Sequence, residues 1–228
     1  MFKNKNIFSF FWLWIPLSVI FAQICLEVSL PEETLSVMHS ESGPHEFVQF
    51  IIIFLAFITA VTMLRLVNVR RDPWLVGWIG LAALSCFYVA GEEVSWGQHI
   101  MNWSTPDYWN QLNDQGETNL HNTSSWLDQK PRLILEIGVI IGGIIMPLLM
   151  KVKPSILPAR FNIIYPSGLL SVTAGIFLAL KIADKADVFG IQLFVRGSEV
   201  QELYLFYFVL LYCVMLRKRL ISERPVSE

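Results

Sequence analysis

Residues 46–66 read EFVQFIIIFLAFITAVTMLRL, and between Glu46 and Arg65 the stretch carries no charge. A helix needs about 20 mostly apolar residues to cross a hydrocarbon core of roughly 30 Å. This one meets that length. Working outward, residues 7–26, 74–94, 133–150, 161–180 and 199–216 meet it as well. The sequence therefore predicts an all-α, polytopic integral membrane protein with six transmembrane helices, built as a single membrane domain over residues 1–228. Composition agrees: 54% of the residues are AVILMFWYC, and only 16% are charged, against about a quarter in a soluble domain. Lys3 and Lys5 precede the first span, but Ile20, Phe21 and Ala22 form no small-x-small cleavage site, so this span reads as an uncleaved anchor.

Lys and Arg in short loops set orientation. Twelve of the 17 basic residues fall on one side, in residues 3–5, 65–71, 151–160 and 217–224, and mark it as cytoplasmic, with both termini inside. Lys130, Arg132, Lys181, Lys185 and Arg196 fall on the other side. Acidic residues sort the opposite way: only Asp72, Glu223 and Glu228 are cytoplasmic, leaving sixteen outward together with His39, His45, His99 and His121. Titratable chemistry thus gathers at the outer face. The long polar stretch 102–132 is expected to fold as a lid there, with Ser104 or Thr105 capping a short helix before Pro106.

At 1.5 Å per residue, Glu92 and Glu93 lie about 27 to 29 Å from the cytoplasmic end of their span, and Glu136 and Glu202 about 21 Å along theirs. A carboxylate inside the membrane costs energy unless it faces a bundle interior or a wet cavity and finds partners. One shared pocket at the outer leaflet accounts for all of them.

Three motifs supply candidates. In Gly91-Glu92-Glu93-Val94-Ser95-Trp96-Gly97-Gln98-His99, a continued helix puts Glu92, Ser95 and His99 on one face, where carboxylate and imidazole suit a metal ion or a proton transfer. The alternative is a helix end in the headgroups, with Trp96 and Trp103 as interfacial anchors. In Glu117-Thr118-Asn119-Leu120-His121-Asn122, Glu117 and His121 share a face if helical; a solvated turn is the alternative. In Arg196-Gly197-Ser198-Glu199-Val200-Gln201-Glu202, a helix entry capped by Ser198 accounts for Glu199 but leaves Glu202 to line a cavity. Ser42-Gly43-Pro44-His45-Glu46 reads as a helix entry with Pro44 at its first position.

The run GEEVSWGQ at residues 91–98, followed by the Asn, Gln, Glu and NLHN pattern ending at Asn122, resembles a group of bacterial multi-spanning membrane proteins. The resemblance implies a bacterial cell (inner) membrane and about six helices. It implies no activity.

Several classes are excluded. A net charge of −2 offers no basic surface for nucleic acid, and no Walker loop, G-x-G-x-x-G, HExxH or G-x-S-x-G is present, so no nucleotide partner is expected. Cys25, Cys86 and Cys213 form no C-x-x-C pair and read as packing residues. Membrane lipids are the expected partners. Three functions remain, in order of preference. The first is an enzyme acting on a lipid or lipid-linked substrate, by metal or by proton relay, with Glu92, Glu93, His99, His121 and Glu202 as its catalytic set. A divalent metal is the candidate cofactor, on Glu92, His99 and His121. The second is a cation- or proton-coupled carrier using Glu136 and Glu202, and the third a structural or assembly partner in the membrane.

Overall fold

Proline decides where two long helices begin. Its fixed φ suits the first helical turn, where its missing N–H is not needed. Pro44 and Pro73 open their helices in this way. The structure, a computed structural model, describes residues 10–40, 43–113, 116–120, 123–185, 190 and 192–223. Its helices are α1 (Phe10–Ser29, opening with a π-turn), α2 (Glu32–Met38), α3 (Pro44–Leu64), α4 (Pro73–Glu93), α5 (Gln98–Met101) and α6 (Asp107–Leu112). Next come α7 (Ser125–Ile140, continued through a π-turn at Ile141–Ile145 into Met146–Val152), α8 (Ser171–Lys185) and α9 (Gly197–Ser222). Among the described residues there is no strand. Gly43 precedes α3 because a Cβ there would lie 2.5 Å from the Met38 carbonyl oxygen.

The last helix is the central post. In α9, 61% of the apolar window is buried, against 17 to 28% in the other long helices. Around it pack α3 and α8, and α4 in turn packs on α3. Tyr204 and Tyr207 donate hydroxyl hydrogen bonds to the Pro16 and Phe11 carbonyls, tying α9 to α1. Side chains left exposed on the outer helices, such as Phe21, Leu55, Leu81 and Leu84, would be unfavourable in water and are at home in acyl chains.

Five helices among the described residues are long and apolar enough to cross a membrane: Phe10–Ser29, Pro44–Leu64, Pro73–Glu93, Gln129–Val152 and Gly197–Ser222. The fifth expected span, 161–180, is not one continuous helix. It divides into 3₁₀ turns at Ala159–Ile164 and Gly168–Leu170 and the start of α8. Pro166 is the reason, since proline disfavours helical geometry in the residue before it, and Tyr165 is extended at φ −66°, ψ 129°. The carbonyls freed by the break are not left bare: Arg219 donates to the Ile163 and Tyr165 oxygens and Tyr212 to that of Ile164. Irregular backbone at membrane depth requires such partners.

The spacing of Gly138 and Gly142, a G-x-x-x-G, predicts a close helix approach. The observed approach uses Gly142 and Gly143 instead, whose Cβ positions would run into Pro166, Phe208 and Ala174, while Gly138 faces open space.

Candidate active site

The helix carrying Glu92 and Glu93 stops at Glu93, and Ser95, Trp96 and Gly97 then take left-handed φ values of 45°, 55° and 103°. Only the glycine accepts this freely; each non-glycine residue in that region costs roughly 1 kcal/mol or more. The reversal is held by what it brings together. The Trp96 ring folds back over Gly91, whose Cβ would sit 2.8 Å from a ring carbon. Its indole Nε1 donates to Glu92 Oε1 at 2.6 Å. The expectation that Glu92, Ser95 and His99 share one helix face is therefore corrected: the left-handed turn separates them, and His99 belongs to the separate α5.

The lid closes onto this turn. Glu92 Oε2 accepts from the Leu120 backbone at 2.7 Å, Ser95 Oγ donates to Glu117 Oε2 at 2.7 Å, and Asn119 Nδ2 donates to both Ser95 and Glu117. Gln98 Oε1 accepts from the Thr118 amide and hydroxyl, while its Nε2 donates to Thr105. Asn113, 3% exposed, spans the lid by donating to Asn119. The two motifs at residues 91–98 and 113–120 are thus halves of one seam. Glu117 lies in an irregular segment, so the helical pairing with His121 does not hold. The expected short helix exists as α6, but Pro106, with no side-chain cap, precedes it.

Beside the seam lies a cavity of about 750 Å³ between α3, α4, α7 and α9. The end next to the seam carries five carboxylates, Glu46, Glu92, Glu93, Glu199 and Glu202, and two guanidiniums, Arg132 and Arg196. Arg132 pairs with Glu202 at 2.7 Å, reaches Glu136 at 3.4 Å and donates to the Ser198 carbonyl at 3.3 Å. Lys181 from α8 completes the Glu136 site at 2.6 Å. Among the described residues Glu93 has no hydrogen-bond or ion-pair partner, and the charges acting on it come from the carboxylates of Glu202, Glu46, Glu199 and Glu92.

Inward, the cavity turns apolar along Ile53, Val89, Leu205 and Val209. It also opens sideways. Leu84 of α4 and Ile134 of α7 both line it, yet they are 69% and 72% exposed. The cavity therefore reaches the molecular surface between those two helices.

Of the residues singled out in the sequence, Glu92, Glu93 and Glu202 meet at this cavity. The His99 side chain and the whole of His121 lie outside the described residues, so the metal set Glu92, His99 and His121 does too. Among the described residues no three His, Cys, Asp or Glu side chains are placed to hold a metal ion. Sequence reasoning missed Arg132 and Lys181, counted as loop residues. The signal for Arg132 was its i,i+4 spacing to Glu136, usable once α7 starts before it. No protein-family description, curated protein or solved structure matches this chain.

Proposed function

We propose that the protein is a membrane-embedded enzyme that acts by acid–base catalysis on a lipid or lipid-linked substrate drawn from the outer leaflet. The observation that carries this reading is the single cavity whose outer end holds Glu93 and Glu202 and whose side opens between Leu84 and Ile134. An amphiphile would place its head among the carboxylates and leave its tail in the bilayer. Pockets for such ligands run about 300 to 1,000 Å³ and are mainly apolar with a few polar groups.

The residues take distinct parts. Glu93 is the acid or base, because it faces the cavity among other carboxylates with no hydrogen-bond or ion-pair partner among the described residues. Glu202 is the orienting carboxylate, fixed by Arg132. Glu92 is a positioning residue: both of its oxygens already accept hydrogen bonds, from Trp96 and Leu120, which favours proton relay over a metal on Glu92, His99 and His121. His121, on the lid, is the second proton carrier. A carrier fits less well, since the far end of the cavity is lined mainly by apolar side chains and offers a coupling ion no charged group.

The same reading places the chain in a bacterial cell membrane with both termini cytoplasmic. Residues 159–185 complete a sixth crossing as a broken helix, their 3₁₀ turn and α8 together making up the length that α8 lacks alone.

The test is incubation of the protein in nanodiscs of bacterial lipid extract, with lipid products followed by mass spectrometry. New product with wild type, lost in Glu93→Gln, is expected. Unchanged lipids together with Glu93-dependent proton flux in proteoliposomes would replace the enzyme by the carrier. Unchanged lipids without flux would leave the assembly role.

A further inference from the structure

A second polar cluster lies outside the cavity, where α1, α2 and α3 meet the approach to α9. His39, 2% exposed, sits at the end of α2 with Nδ1 3.2 Å from Nδ1 of His45. Its Nε2 lies 3.0 Å from Gln23 Nε2, which also donates to Glu27 Oε1 at 2.8 Å. Those contacts fix every proton. The Glu27 bond orients the Gln23 amide, so His39 Nε2 accepts from Gln23. His39 therefore carries its proton on Nδ1 and donates it to His45 Nδ1, and the His45 proton sits on Nε2.

The cluster holds the segment that leads into α9. Glu27 Oε2 accepts from the Val195 amide at 3.1 Å, and Arg196 Nη1 donates to the His39 carbonyl at 2.7 Å. Arg196 is held in left-handed geometry at φ 50°, ψ 52°, a conformation that persists only while its surroundings enforce it. Its side chain lines the rim of the cavity.

We propose that the His39–His45 pair is a proton-operated latch that sets the position of Arg196 at the cavity rim. With both rings neutral, each donor between Glu27 and His45 Nδ1 meets an acceptor. Adding one proton to either ring destroys that match. A proton on His39 Nε2 faces the Gln23 N–H; a proton on His45 Nδ1 faces the His39 N–H, or moves it to Nε2 against Gln23. Relief comes when the Gln23 amide turns over, releasing Glu27. The freed Glu27 Oε1, already 3.9 Å from His39 Nε2, closes on the imidazolium. That movement draws Glu27 Oε2 off the Val195 amide and frees Arg196 to leave its left-handed conformation.

The charged groups facing the pair are Glu27 from α1 and Arg196 from the approach to α9, with each imidazole the other's titratable neighbour and Glu46 one residue beyond His45 on α3. Burial pushes the His39 imidazole below its ordinary value, Glu27 opposes that shift, and Arg196 adds to it. A lowered folded-state value means the closed latch is favoured at neutral pH and weakens as pH falls below the ordinary imidazole range.

Amide hydrogen exchange on the full chain in lipid nanodiscs tests the latch at Val195. Corrected for intrinsic exchange, its protection is expected to fall about tenfold between about pH 7.5 and about pH 5. Gln23→Glu, which removes the N–H that holds Glu27, is expected to leave Val195 exchanging at the faster rate at both pH values. His39→Gln, which removes the ring that takes the added proton against Gln23, is expected to make protection independent of pH. A wild-type Val195 amide equally protected at both pH values overturns the proposal, as does the same tenfold fall in both variants. Should His39→Gln fail to fold, Gln23→Glu decides alone.

Discussion

Glu92 and Glu93 are neighbours in the chain and stand in opposite surroundings. On the lid side of the α4 exit, Glu92 is 4% exposed and meets a donor at each oxygen. On the cavity side, Glu93 has no such donor among the described residues and faces other carboxylates. A carboxylate whose lone pairs are matched is held in one geometry and one charge state, and serves as a fixture. One that faces a cavity among other carboxylates is placed to exchange a proton, the part proposed above for Glu93. The lesson is that a pair of acidic residues at a membrane boundary need not share a task.

The contrast can be broken from either side. Glu93→Gln is expected to lower lipid turnover by at least ~10²-fold, the lower range of general acid–base contributions, while the melting temperature holds, because the amide keeps the shape of the side chain and cannot ionise among the other carboxylates. Equal activity loss in Glu92→Asp, which keeps the charge, would erase the distinction. Arg132→Ala removes the 2.7 Å pair to Glu202 and the 3.4 Å contact to Glu136. Breaking one partner of a buried pair costs ~3–5 kcal/mol; with the Arg132 and Glu202 side chains 25% and 22% exposed, solvent screening reduces this to about 2 kcal/mol, readable by chemical unfolding in detergent.

Glu92→Gln leaves Trp96 Nε1 and the Leu120 amide competing for one neutral oxygen, and should cost about 1.5 kcal/mol, near the lower limit for bonds to a charged group. Its signature is faster proteolysis of the lid between residues 105 and 120. Gly91→Ala presses a methyl group into the Trp96 ring and should destabilise by about 1 kcal/mol. By contrast Gly80→Ala, on the same helix with nothing within 4 Å of its added Cβ, should change stability by less than about 0.5 kcal/mol, or raise it through better helix propensity. Similar melting shifts for the two glycine variants would mean that the ring does not rest on Gly91.

Much of the scaffold was legible because bilayer thickness imposes a length on the sequence. Residues 46–66 and 74–94 fall within two residues of Pro44–Leu64 and Pro73–Glu93. Residues 161–180 did not, because hydropathy counts apolar side chains and ignores backbone geometry. Tyr165-Pro166-Ser167-Gly168 is a turn signal inside an apolar run, and the proline prevailed. Within the site, Glu92, Glu93 and Glu202 were legible from their depth. The reversal at Ser95–Gly97 was not, since neither serine nor tryptophan favours left-handed geometry and only Gly97 advertises it. Arg132 was hidden for another reason: α7 begins a full turn or more before the apolar run, and a residue counted as loop proved to be part of a helix facing the carboxylates.

For the lipid substrate proposed above, entry between Leu84 and Ile134 changes what concentration means. A lipid diffusing in the plane of the membrane never has to surrender its hydrocarbon to water on the way in, so burial of the tail adds nothing to binding strength. Recognition then falls wholly to the head group, and saturation follows the mole fraction of that lipid in the leaflet rather than its amount per volume of solution. Any detergent that dilutes the leaflet becomes a competitor.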